Sequence, residues 1–264
     1  MIISRQTKTA FIHIPKNGGT TVRRQMRQLH DIDASFNEVA HLPGVGPVHL
    51  AHLPSSTIRE HFPEVYQILL DCQIFVLCRD PFSRFRSSVS QHLKLYKNIS
   101  IASLGEAELR SRVLDLIGEI EKSPNVLPIK LNHFVRQTEM LDDEMEISLF
   151  ALEDMAGMMR QISVRTGVQM RHDRKDNETI SLRDERLRKP LSRIAVELQK
   201  NLPSTAYQVV QKLAKRALQK PIPQTTEGVF HSPEILDFVK THYADDIALH
   251  QNAMDGLPAG RHRS

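Results

Sequence analysis

Phe11-Ile12-His13-Ile14-Pro15-Lys16-Asn17-Gly18-Gly19-Thr20-Thr21-Val22-Arg23-Arg24-Gln25-Met26 decides how this chain is to be read. An apolar run enters a Gly-Gly turn and leaves it as a helix. Glycines let the backbone turn sharply and bring its N–H groups close to an anion, and the helix behind adds the positive end of its dipole. Lys16 supplies a mobile charge, and Thr20 and Thr21 place hydroxyls in the first helical turn, where they can cap the helix or touch a phosphate. The stretch is not a Walker A loop, because the lysine precedes the glycines and no Gly-Lys-Ser/Thr follows.

Working outward, Val22, Met26 and Leu29 recur at helical spacing, residues 31–47 read as loop, and Val48–Ala51 is a short apolar segment. Thr57 and Glu60 have the spacing of a capping box. Gln73–Cys78 is continuously apolar, as in a parallel strand covered on both faces, and Arg79-Asp80-Pro81 ends it. A helix is expected from Phe82 to about Tyr96. Another is marked by Leu109, Val113, Leu116, Ile117 and Ile120. Ile147–Leu152 reads as a strand with a helix from Asp154 to Gly167 behind it. Further helical stripes fall at Leu187–Leu198, Tyr207–Leu218 and Pro233–Leu249, and 221–228 reads as loop. Strands alternating with helices predict a three-layer α/β domain spanning 1–264, with a central parallel sheet, a helix-rich C-terminal part and ligands at the carboxyl ends of the strands.

Composition is that of a globular protein: 264 residues, 40% hydrophobic, 25% charged and a net charge of +4. With 10 Phe, 4 Tyr and no Trp there is no aromatic-interleaved basic stripe, so nucleic acid is not an expected partner. No apolar run has membrane-spanning length, and Met1–Lys8 lacks the apolar core of a signal peptide, which gives a cytoplasmic expectation. Cys72 and Cys78 stand at opposite ends of one extended segment and read as reduced thiols. Neither is spaced with histidines as zinc requires, and no metal is expected.

A second basic element follows the central strand. Arg79 sits at its end, with Arg84 and Ser87 five and eight residues on, so a strand-end guanidinium and a helical hydroxyl could converge on one anion. Two anion sites at one sheet edge suit a ligand with two separated phosphates. Phe11–Thr21 and Val76–Ser87 together resemble the two nucleotide-binding signatures of the PAPS-dependent sulfotransferases, and most closely the carbohydrate branch that includes heparan sulfate 2-O- and chondroitin 4-O-sulfotransferases.

That resemblance implies a P-loop-like fold and transfer of a sulfuryl group from PAPS to a hydroxyl, most closely that of a saccharide or glycoconjugate, with PAP as product. It implies that Lys16 contacts the oxygen bridging phosphate and sulfate. Pro15 opens the loop, Asn17, Gly18, Gly19, Thr20 and Thr21 cradle the 5′-phosphate, and Arg79 and Ser87 grip the 3′-phosphate, with Arg84 beside them as a further cofactor-binding candidate. In-line transfer needs a base; Val48-His49-Leu50-Ala51-His52-Leu53 resembles the family's catalytic histidine position, with His52 the better match and His49 the other. His13 reads as a structural strand residue, and His133 as a packing residue or part of the acceptor site. Arg171, His172, Arg174, Lys175 and Asn177 read as a solvated charged loop, with closure over an anion as the alternative. Weaker echoes are Lys130–Phe134 with Gln137, Leu149–Asp154 and Tyr243–Asp246. Two other classes stay open: a P-loop-type nucleotide kinase, and a noncatalytic nucleotide-binding protein with the same fold.

Overall fold

The computed structural model describes residues 1–33, 36–123, 127–171 and 224–256. Its centre is a four-stranded sheet in the order β1 (Ile2–Ser4), β2 (Thr9–Ile12), β5 (Gln73–Cys78), β6 (Glu146–Ala151). β2, β5 and β6 run parallel, with Ile12 opposite Val76 and Cys78 opposite Ala151, so their carboxyl ends share one edge.

The sheet is mixed and not wholly parallel, because β1 pairs antiparallel with β2. Four residues join them, enough for a hairpin and far short of a parallel crossover. β1 was invisible in the sequence because three residues carry no period. Its outer edge is closed at Ile3, whose N–H donates to His30 Nδ1 and whose carbonyl accepts from Asp31 N. The Asp31 carboxylate also accepts from Arg5 N, Gln6 N and Ser4 Oγ.

Side-chain alternation divides the sheet between two cores. Ala10, Ile12, Ile74 and Val76 pack on one face against Ile58 of α2 (Ser55–His61) and Tyr66 and Leu69 of α3 (Pro63–Leu70). Phe11, Phe75 and Leu77 pack on the other against Val22 and Met26 of α1 (Gly19–Met26) and Met158, Met159 and Ile162 of α6 (Met155–Thr166). A third core is helical. It joins α4 (Pro81–Tyr96), α5 (Glu106–Glu121), α7 (Gln224–Phe230) and α8 (Pro233–His242) through residues such as Phe85, Val113, Phe134 and Phe238.

Local chemistry sets several boundaries. Asp80 caps α4, its Oδ2 accepting from Ser83 N, with Pro81 in the first turn; Asp154 caps α6, which ends at left-handed Gly167. Elsewhere the structure corrects the sequence reading. The supposed loop 31–47 contains a hairpin of β3 (Val39–Leu42) and β4 (Gly46–His49), whose glycines 44 and 46 sit at positive φ in the turn. The capping box at Thr57 and Glu60 does not form, because α2 starts two residues earlier and buries Thr57. The 221–228 loop includes the start of α7. The single helix expected over 233–249 is two, α8 and α9 (Ala244–Met254), broken at Tyr243, whose buried hydroxyl donates to Phe134 O. The stripes at 187–198 and 207–218 lie outside the described residues.

Candidate functional site

The site is assembled where β2, β5 and β6 end. After β2 the chain turns through Lys16 at φ 69° and Gly18 at φ 74°, both left-handed, into α1. Such turns are the backbone geometry of anion-binding nests. No side-chain hydrogen bond caps α1, and no acidic residue occupies its first turn. Gly19 has to be glycine: a Cβ there would lie 2.2 Å from His13 Cδ2. One on Gly18 would lie 2.8 Å from Met155 Cε and 2.9 Å from Leu152 Cδ1. The loop therefore rests on the His13 ring and on the chain that follows β6. Pro15 is buried at its start, and Thr20 is half-buried beside buried Thr21.

The second elbow reaches the first directly. Arg79 Nη1 donates to Lys16 O at 3.0 Å, and Arg79 Nε donates to Ser83 Oγ at 3.0 Å. Ser87 stands four residues beyond Ser83, on the same face of α4. Ser83 was absent from the sequence-derived set, and its spacing from both Arg79 and Ser87 is the signal that would have found it. Lys16 is half-buried; burial first, then Arg79 and Lys94, lower its ammonium from 10.5 to about 8. Among the described residues no carboxylate acts on it.

Two assigned ligands turn inward. Arg84 is 1% exposed, its Nε donating to Pro15 O at 3.2 Å and its Nη2 to Val135 O, so its guanidinium clamps backbone and is not a phosphate ligand. Helical spacing explains this: residues 81, 84, 85, 88, 89, 92 and 93 form the buried stripe of α4. The Asn17 side chain is equally buried and donates to Leu77 O and Gln137 Oε1, leaving only its backbone to the cradle.

Four histidines gather beside the loop. The His52 ring lies 4.9 Å from His13, 5.1 Å from His49 and 5.9 Å from His133. Burial holds all four below the ordinary imidazole value, His13 at about 3 and His133 at about 4. Their partners assign tautomers. His52 Nδ1 faces the His13 carbonyl at 3.3 Å, which can only accept, so Nδ1 carries the proton and Nε2 keeps its lone pair. His49 Nδ1 accepts from Ala51 N at 3.2 Å, so its proton is on Nε2 and it can only donate there. His49, His52, Thr57 and Asn132 help line a cavity of about 20 Å³, room for one water-sized group. Asn132 Oδ1 and His133 Nδ1 are buried beside it without hydrogen-bond partners among the described residues.

Gln137 and Asp246, present in the sequence only as faint echoes, also converge here. Of the proposed charged loop, Arg171 is tied by backbone to Gln25; its other members lie outside the described residues. Among the described residues no group of three or more His, Cys, Asp or Glu is arranged to hold a metal ion. Comparison of the chain with protein-family models, with curated proteins and with solved structures finds no match.

Proposed function

We propose that this chain is a PAPS-dependent sulfotransferase acting on a hydroxyl acceptor, with a saccharide as the leading acceptor class. One observation carries the reading: the Lys16–Thr21 loop and the Arg79 elbow meet at one sheet edge, joined by the bond from Arg79 Nη1 to Lys16 O. A strand, a glycine loop and a helix without a side-chain cap support a P-loop-like reading, and Arg79, steadied by Ser83, with Ser87 one turn further along α4, supports a second anion grip beside it.

The residues fit a 3′,5′-bisphosphate. The loop amides and the N-terminus of α1 hold the 5′-phosphate. Arg79 with the Ser87 hydroxyl holds the 3′-phosphate, and Ser83, whose O–H donates to Asp80 O, steadies the guanidinium by accepting from its Nε. PAPS, when bound, supplies the sulfuryl group. His52 Nε2 takes the acceptor proton as the acceptor oxygen bonds to sulfur. The bond from sulfur to the bridging oxygen breaks, and Lys16 neutralises the charge left on that oxygen. His49, proton on Nε2, serves as a donor that orients the acceptor.

The first test is thermal. PAP should raise the melting temperature by several degrees more than equimolar AMP, since stabilisation grows with affinity; equal shifts would remove the reading. The second is transfer from labelled PAPS to a saccharide panel, in which His52→Ala should lose on the order of 10²–10⁴-fold in rate. Full activity in that variant would remove His52 as base.

A further inference from the structure

Gln137 is completely enclosed, and its carboxamide bonds to both elbows. Oε1 accepts from Asn17 Nδ2 at 2.6 Å in the loop after β2, and from Arg79 N at 3.0 Å at the end of β5. Nε2 donates to Arg79 O at 2.8 Å. Chemistry fixes this orientation, because Arg79 N can only donate and Arg79 O only accept; an inverted amide would oppose like to like twice. Asn17 is fixed in the same way, its Nδ2 also donating to Leu77 O at 2.7 Å.

α9 holds Gln137 from behind. Asp246, fully buried, accepts from Gln137 N at 2.8 Å through Oδ2 and from Thr138 N at 3.0 Å and Thr138 Oγ1 at 3.2 Å through Oδ1. Arg84 Nη1 lies 3.8 Å from the same carboxylate while its Nε grips Pro15 O. A buried polar strut thus runs from α9 to the start of the loop by two routes.

Resting on the bisphosphate reading above, we infer that Gln137 is a positioning residue: it sets the spacing of the 15–21 loop against the Arg79–Ser87 elbow, so that two phosphates of one nucleotide bind as a pair. Neither elbow needs the strut to hold a phosphate alone. A pair bound together gains by preorganisation, because the spacing is fixed before the ligand arrives. Gln137 touches no ligand and acts only through Asn17 and Arg79.

The test measures affinities of the full chain for PAP and AMP by calorimetry, in the wild type and in Gln137→Met, which keeps length and loses the hydrogen bonds. The preference for PAP over AMP should fall on the order of tenfold in the variant, with AMP affinity little changed. A merely structural role would lower the melting temperature and both affinities together. A preference retained in Gln137→Met overturns the positioning role alone. Absence of the preference in the wild type overturns the bisphosphate reading and this inference with it. Hydrogen exchange in the wild type needs no variant: AMP, filling only the loop, should slow exchange of the Arg79 amide across the strut. An Arg79 amide unaffected while the loop amides become protected overturns the inference equally.

Discussion

Lys16 is a cation stored at some cost. Burial and its neighbours Arg79 and Lys94 bring its ammonium to about 8, and among the described residues no carboxylate acts to hold it charged. A phosphate bound at the loop supplies the missing counter-charge and raises that value. Between about pH 7 and 8 Lys16 is largely charged with or without ligand and the phosphates of PAP have lost their second protons (pKa about 6), so PAP affinity should change little there. Above pH 8 the free protein loses the proton that the complex keeps, so affinity should fall as pH rises, and binding at pH 8.5 should take up a proton. Calorimetry in two buffers of different ionisation enthalpy reads the uptake directly; Lys16→Met should abolish it. Binding with no proton uptake in the wild type would mean that Lys16 does not face the anion.

At the scale of elements, the loop, α1, β5, α4, α5, β6 and α6 were legible because each carries its own period or cap. The residues that unite them were not. Gln137 bonds to partners 58 and 120 residues away, and Asp246 reaches inward only because the chain breaks at Tyr243 between α8 and α9. Nothing local encodes such contacts. Arg79 and Arg84 lie five residues apart in one motif and both donate to the loop backbone, yet Arg84 is enclosed while Arg79 is only half-buried, a distinction the helical stripe of α4 carries and the motif does not. β3 and β4 were hidden by Pro43, Gly44, Gly46 and Pro47, which read as breakers and are the turn and its edge.

Glycines separate the elements as sharply. Gly19→Ala drives a Cβ into the His13 ring, and overpacking of this kind should cost about 1–3 kcal/mol in urea unfolding and remove the PAP-induced thermal shift. Gly118→Ala lies within α5 with no described residue close to the added methyl and should instead stabilise by about 0.5–1 kcal/mol. A Gly19→Ala protein with unchanged stability would mean that the loop does not rest on His13.

Across the whole molecule, a set of histidines held neutral by burial makes the fold sensitive to acid. Unfolded, these imidazoles take a proton near pH 6.5; folded, His133 waits until about 4 and His13 until about 3. Between those values only the unfolded chain binds the protons, so stability rises with pH and is lost as pH falls from about 6.5 towards 4. Urea midpoints measured from pH 7.5 to 4.5 should show this loss, and His133→Asn should reduce the slope by about one proton. A flat profile above pH 5 would contradict the burial of the cluster.

The sheet also has a finished side. Along β1 the outward groups of Ile3 are taken by His30 and Asp31, and the turn beyond is gathered onto the Asp31 carboxylate. Desolvation of that carboxylate opposes its ionisation, but the amides of Gln6 and Arg5 and the Ser4 hydroxyl hold it below the ordinary aspartate range, so the seal persists into mild acid. A foreign strand seeking to extend the sheet there meets a margin already hydrogen-bonded to its own chain, which protects the protein against edge-to-edge aggregation on that flank.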